Sequence, residues 1–224
     1  GLVMVAGGTS TLQPDVIAAV TGTLNSAEIY NPATGSWSGL PNIAGRRLAP
    51  ALTTLSNGQA MLSGGVSVSL FFGIPTSAFS TTQVQIFNGS SWSNGPSMAT
   101  GRAGHQYNQV TLNDGRVLMT GGVNVSNLLN AANAAPISQA EVFNGSSWQS
   151  VNMPTSRALH TATVLPDGRV AACGGAQGTL TTPISIANVD IFNPSNNTWS
   201  QAPNLTGPRA SHTATLMPDG MLLL

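Results

Sequence analysis

Four times along the chain a hydrophobic run ends in a glycine pair, at Gly7-Gly8, Gly64-Gly65, Gly121-Gly122 and Gly174-Gly175, and after each pair comes a tryptophan, Trp37, Trp92, Trp148 and Trp199. The period is roughly fifty residues, the spacing of tandem supersecondary units. Such a pattern constrains architecture strongly and function weakly, because recurring residues build a scaffold and leave the variable segments to act.

Other marks keep the same phase. An Arg, with a His three residues on, opens the units at Arg102/His105, Arg157/His160 and Arg209/His212, while Arg47 is followed by Pro50. About ten residues after each Arg stands a turn dipeptide, Asn57-Gly58, Asp114-Gly115, Asp167-Gly168 or Asp219-Gly220, expected to close a two-residue hairpin between a first and a second strand. A third strand ends in Tyr30, Phe87, Phe143 or Phe192, and a tight turn leads into the Trp strand. That turn has a longer form at 31–35 and 193–197 and a shorter one at 88–90 and 144–146, a difference that need not disturb the strands. Each unit therefore reads as a four-stranded antiparallel sheet, with junctions near 46, 101, 156 and 208.

With these residues in view, above all the stretches 157–175 (RALHTATVLPDGRVAACGG) and 27–37 (AEIYNPATGSW), the chain resembles the kelch family in its bacterial secreted form. The resemblance covers nearly the whole chain. It implies an all-β fold, a single kelch-type β-propeller domain or segment over 1–224, of about four blades offset so that the chain starts at a second strand. In that setting the glycines permit close backbone approach and the Trp and Tyr/Phe rings fill the wedge between blades. The last strand could in principle complete the first blade. Because 221–224 duplicates the part played by 2–5, the expectation is instead a window from a longer chain, with strand sharing between copies as the alternative.

Composition narrows the partners. Charged residues make up 6% of the chain, none is Lys, and the formal net charge is zero, against about 25% charged in ordinary soluble domains. Such a chain has little to offer a phosphate backbone, so nucleic acid is not an expected partner. No apolar run is long enough to span a bilayer. Solubility must come from Ser, Thr, Asn and Gln, and a surface of that kind changes little with salt or acidity. These features point to an extracellular or cell-surface location, with self-association favoured by the lack of net charge. The single Cys173 stands where other units have Ala6, Ser63 and Thr120, which suggests buried packing.

Antiparallel geometry places the second connections, 9–23, 66–82, 123–138 and 176–185, on one face with the Arg-bearing links. Function is expected on that face. These segments are nearly free of charge, Asp15 excepted, and carry Leu70, Phe71, Phe72, Ile74, Phe79, Leu128 and Leu129. The apolar residues either pack together as a lid or form a contact surface for a protein partner or a neighbouring subunit. Carbohydrate is a further possible ligand.

His105, His160 and His212 occupy equivalent places that rotation could bring into a ring, but they recur with the Arg as scaffold residues do, so structural hydrogen bonding is expected and no metal or cofactor. Galactose oxidase and its relatives also contain a kelch propeller, and their copper site uses Tyr, His and a Tyr–Cys cross-link. Tyr30, Tyr107 and Cys173 have no comparable sequence context here. Glu28, Glu141 and Asp190 precede the third-strand apolar run, which points to a structural hydrogen bond or a pair with Arg. No catalytic residue is identified. Asn-x-Ser/Thr matches at Asn88, Asn124, Asn144, Asn196 and Asn204 fall largely in turns, where Asn serves the backbone. The resulting expectation is a noncatalytic extracellular interaction or structural module. Its alternative is the propeller scaffold of a secreted oxidase or carbohydrate-active enzyme whose active site lies elsewhere.

Overall fold

The computed structural model describes residues 1–11, 16–129, 134–179 and 181–224. Short β-rich runs between Gly-containing turns form five main sheets in chain order. The first has three strands, Val3–Ala6, Ala27–Asn31 and Ser36–Leu40. Three complete four-stranded meanders follow. The second unit runs Ala51–Thr54, Ala60–Ser63, Val84–Phe87 and Trp92–Asn94. The third runs Gln109–Thr111, Val117–Thr120, Ala140–Phe143 and Trp148–Ser150. The fourth runs Thr161–Val164, Val170–Cys173, Val189–Asn193 and Thr198–Ala202. A two-stranded fifth pairs Thr215–Leu216 with Leu222–Leu223.

The first hairpins differ from the two-residue form expected. Leu55 N–H donates to Gln59 O at 2.8 Å and Gly58 N–H donates back to Leu55 O at 2.9 Å, so three residues form the loop. The same pair of bonds recurs at 112–116, 165–169 and 217–221. Only the glycine needs positive φ, 81° at Gly58 and 84–86° at the other three, and this is the turn followed by a left-handed residue of three-residue hairpins. The preceding Asn or Asp instead accepts a bond from the residue after the glycine, as Asp114 Oδ1 does from Arg116 N–H at 3.1 Å. In the second hairpins the two turn lengths are absorbed, because Tyr30, Phe87, Phe143 and Phe192 lie directly opposite Trp37, Trp92, Trp148 and Trp199. Ring centroids in these pairs are 5.0–5.2 Å apart.

The second connections are also more ordered than irregular loops. Val66–Phe71 and Ile74–Ser80 form a hairpin, and Arg46–Leu48 of the preceding link adds to it as a third strand. Val123–Val125 pairs with Ala134–Pro136, and Ala176–Gly178 with Pro183–Ser185. The segment after the first glycine pair holds a short helix, Val16–Thr21, bracketed by a Thr9–Thr23 bridge. Asp15 lies outside the described residues.

The core lies between neighbouring sheets. Leu112, Leu118, Val142 and Met153 of the third unit pack with Ala162, Val170, Ala172 and Phe192 of the fourth. Met61, Val84 and Met98 pack likewise with Val117, Met119 and Phe143. At about 1.5–3 kcal/mol for each large apolar side chain buried, this lateral packing dominates the association of units. Each Trp reaches the same way. Its indole N–H donates to a carbonyl at the exit of the preceding unit, Trp92 to Pro41 at 2.9 Å and Trp148 to Pro96 at 2.8 Å. Trp199 does so to Val151, while Trp37, in the first of the described sheets, is 51% exposed. First strands lie beside one another, with Thr111 Oγ1 donating to Thr54 O at 2.6 Å. Tyr107 sits in a turn before Gln109–Thr111 and is exposed.

Candidate functional site

Two recurring or exposed features emerge, a buried junction and an apolar hairpin tip. At the junction, the second glycine of one unit donates to the carbonyl of the next Arg: Gly8 to Arg47 at 2.8 Å, Gly65 to Arg102 at 2.8 Å, Gly122 to Arg157 at 3.0 Å and Gly175 to Arg209 at 2.7 Å. The first glycine faces the same residues, and a Cβ on Gly64 would stand 2.5 Å from Arg102 O and 2.7 Å from His105 Cε1. The guanidinium then turns into its own unit. Arg102 donates to the carbonyls of Gly121 and Gln139 at 2.8 and 2.6 Å and pairs with Glu141 at 2.5 Å. Arg157 donates to the carbonyls of Gly174 and Asn188 and pairs with Asp190 at 2.5 Å. One residue thus clamps two sheets.

Both pairs are fully buried. Such charges persist only where hydrogen bonds replace water, and removing one partner typically costs about 3–5 kcal/mol. Glu141 gains further bonds from Ala99 N–H at 2.7 Å and Thr100 N–H at 3.3 Å. Burial lowers the pKa of Arg102 and Arg157, an effect their carboxylate partners oppose. In the second unit Gln85 takes the place of the acid and binds the backbone of Ala44 in both directions, at 3.0 and 3.1 Å. Arg47 there donates to Gln83. Glu28 is exposed. Of the acids before the third-strand run, Glu141 and Asp190 therefore act in structure, through Arg.

The histidines interlock the same units. Ser63 Oγ donates to Gln109 Oε1, so toward His105 it is an acceptor, and Nε2 of His105, 3.2 Å away, carries the proton. Thr120 Oγ1 donates to Asn108 O at 3.1 Å and therefore accepts from His160 Nε2 at 2.8 Å, leaving His160 Nδ1 to accept from Asn108 Nδ2 at 3.2 Å. Both rings are neutral. Burial and then the Arg102 charge bring the pKa of His105 down to about 3, and burial followed by Arg157 holds that of His160 well below the usual value. His212 contacts Thr161 Oγ1 at 3.3 Å. Ser63 and Thr120 were legible only as small residues before a glycine pair. Their hydroxyls are what the histidines bind. Among the described residues no group of three or more His, Cys, Asp or Glu side chains converges as a metal would require. Cys173 is buried, and its thiol pKa is pushed up to about 11, mainly by burial.

The apolar segment divides. Leu70 and Leu128 pack on Val20, Val66, Val68, Ala78 and Ala103, as a lid would. Phe71, Phe72 and Ile74 stand out at 65%, 91% and 67% exposure, with Phe79 and Leu129 partly exposed. Phe71 lies opposite Ile74 across a two-residue turn of Phe72 and Gly73, both at positive φ, 48° and 79°. Asn, Asp or Gly is favoured at the first of these positions, and a bulky residue there is strained. The rings of Phe71 and Phe72 meet edge to face at 4.6 Å. No described helix is long and apolar enough to cross a membrane.

No family model matches the sequence, and no curated protein matches it. Among solved structures the fold is similar to that of YjhT, with a TM-score of 0.67 over 98% of this chain and 72% of that one, at 17% identity. That likeness shows the fold alone: an all-β, propeller-like arrangement of small antiparallel sheets.

Proposed function

We propose that the chain is a kelch-type propeller serving as a noncatalytic interaction module outside the cell, and that its contact surface is the tip of the 66–80 hairpin. The observation that carries this reading is Phe72. It is 91% exposed at φ 48°, a position where Asn or Gly would relieve strain and solvent contact together. Its ring meets that of Phe71, itself 65% exposed. An aromatic that stands exposed and strained in the isolated fold supports a contact with another molecule. The occupant favoured is a second copy, since a chain of zero net charge has no electrostatic repulsion to overcome. The lack of Lys and the scarcity of charge support the extracellular assignment.

Sedimentation of the wild type against the Phe71→Ser/Phe72→Ser double variant tests the contact. The wild type should associate with rising concentration and the variant should remain a monomer. Equal assembly of the two, or a wild type that stays monomeric throughout, contradicts the reading.

A further inference from the structure

Four Asn-Gly dipeptides occur, at 57–58, 88–89, 94–95 and 144–145. This dipeptide can rearrange by itself: the glycine nitrogen attacks the Asn carboxamide carbon, and the side-chain nitrogen leaves as ammonia. Reaction needs a glycine amide free to approach and a carbonyl oxygen able to take up negative charge. The fold treats the four sites unequally.

At 94–95 the nucleophile is committed, because Gly95 N–H donates to Val84 O at 2.9 Å. At 57–58 Gly58 N–H donates to Leu55 O at 2.9 Å, and Asn57 Oδ1 accepts one backbone bond, from Gln59 at 3.0 Å. The two short turns differ on both counts. The amides of Gly89 and Gly145 make no hydrogen bond among the described residues. Asn88 Oδ1 accepts from the backbone N–H groups of Ser90 at 3.0 Å and Ser91 at 2.9 Å, and Asn144 Oδ1 accepts from those of Ser146 at 3.0 Å and Ser147 at 2.9 Å. Two backbone donors aimed at an oxygen on which charge develops stabilise the tetrahedral intermediate, as an oxyanion hole does. Both residues are exposed and line clefts open to water, Asn88 beside Leu52 and Phe87, and Asn144 beside Asp114 and Arg116.

We infer that Asn88 and Asn144 are sites of intramolecular deamidation, and that Asn57 and Asn94 are protected by the fold. The glycine N–Cγ bond forms, the glycine N–H proton passes through water to the departing amine, and the Cγ–Nδ2 bond breaks to release ammonia. Water then opens the five-membered imide at either carbonyl, giving aspartate or isoaspartate. No oxidant or cofactor enters. Each event adds a negative charge to a chain that has none in net, beside the Trp strand that joins its unit to the one before.

Peptide mapping of the native full chain, aged at mildly alkaline pH, tests this by the gain of about one dalton at each site. Asn88 and Asn144 should convert about tenfold or more faster than Asn57 and Asn94, a difference of roughly 1.4 kcal/mol in barrier. In denaturant the four rates should converge. Asn88→Gln should abolish the gain in its own peptide and leave the one at 144. Native rates that are equal at all four sites, slower at 88 and 144, or unchanged in their ranking by denaturant overturn the inference.

Discussion

At the scale of single residues, the first glycine of each pair is required by two facts together, its left-handed φ and the next unit standing against it. Gly121 has φ 52°, and a Cβ there would run into Arg157 O and stand 2.9 Å from His160 Cε1. Gly35 has φ 68° with nothing within 4 Å. Gly121→Ala should therefore cost about 3 kcal/mol or more, and Gly35→Ala about 1 kcal/mol from backbone strain alone. Urea unfolding of the two variants measures both, and equal losses would mean that the junction is not packed as described. The need for glycine was legible from its recurrence, and so was a structural role for Glu141 and Asp190, as a hydrogen bond or a pair with Arg; the fold makes it the pair. The hydroxyl partners of the histidines were not, because Ser63, Thr120 and Cys173 share size but not chemistry, and size was the visible common factor.

At the scale of elements, the buried histidines of the junction make stability depend on acidity. His105 and His160 are neutral and buried, with Arg102 and Arg157 the cations nearest them. A folded-state value below the unfolded one means that the unfolded chain takes up protons first as pH falls. Stability should be constant above about pH 6.5 and decline below it by roughly 1.4 kcal/mol per pH unit for each such ring, until the folded value near 3 is reached for His105. Urea midpoints between about pH 7.5 and about pH 4.5 should fall accordingly, and His105→Gln should reduce the slope. A flat profile would show that the rings are not held neutral. Sequence indicated the strands and their partners well, since Gly, Asn and Asp fix turns locally and the aromatic–Trp register tolerates either turn length. It did not show the hairpins within the second connections, because pairs such as 123–125 with 134–136 are short, weakly alternating and stabilised by neighbouring units. It failed also on loop length in the first hairpins, where Asp-Gly serves two-residue and three-residue turns alike.

At the scale of the molecule, repeated sheets stand side by side, and the second is bound to the third, and the third to the fourth, by an apolar seam, a Trp N–H bond and the glycine–arginine clamp. Tandem units of this kind draw much of their stability from nearest-neighbour interfaces. The repeat was enough to read a succession of small antiparallel sheets. It could not show which apolar residues are covered, because Leu70 and Phe71 are adjacent in sequence and only the fold turns one toward Val68 and Ala78 and the other outward. The most direct measurement of the clamp is native-state hydrogen exchange at the amides of Gly65, Gly122 and Gly175, which donate to Arg102, Arg157 and Arg209. They should exchange only through opening of the junction, far more slowly than the unbonded amides of Gly89 and Gly145. Exchange of all five at the rate of exposed turns would show that the units are not joined in this way.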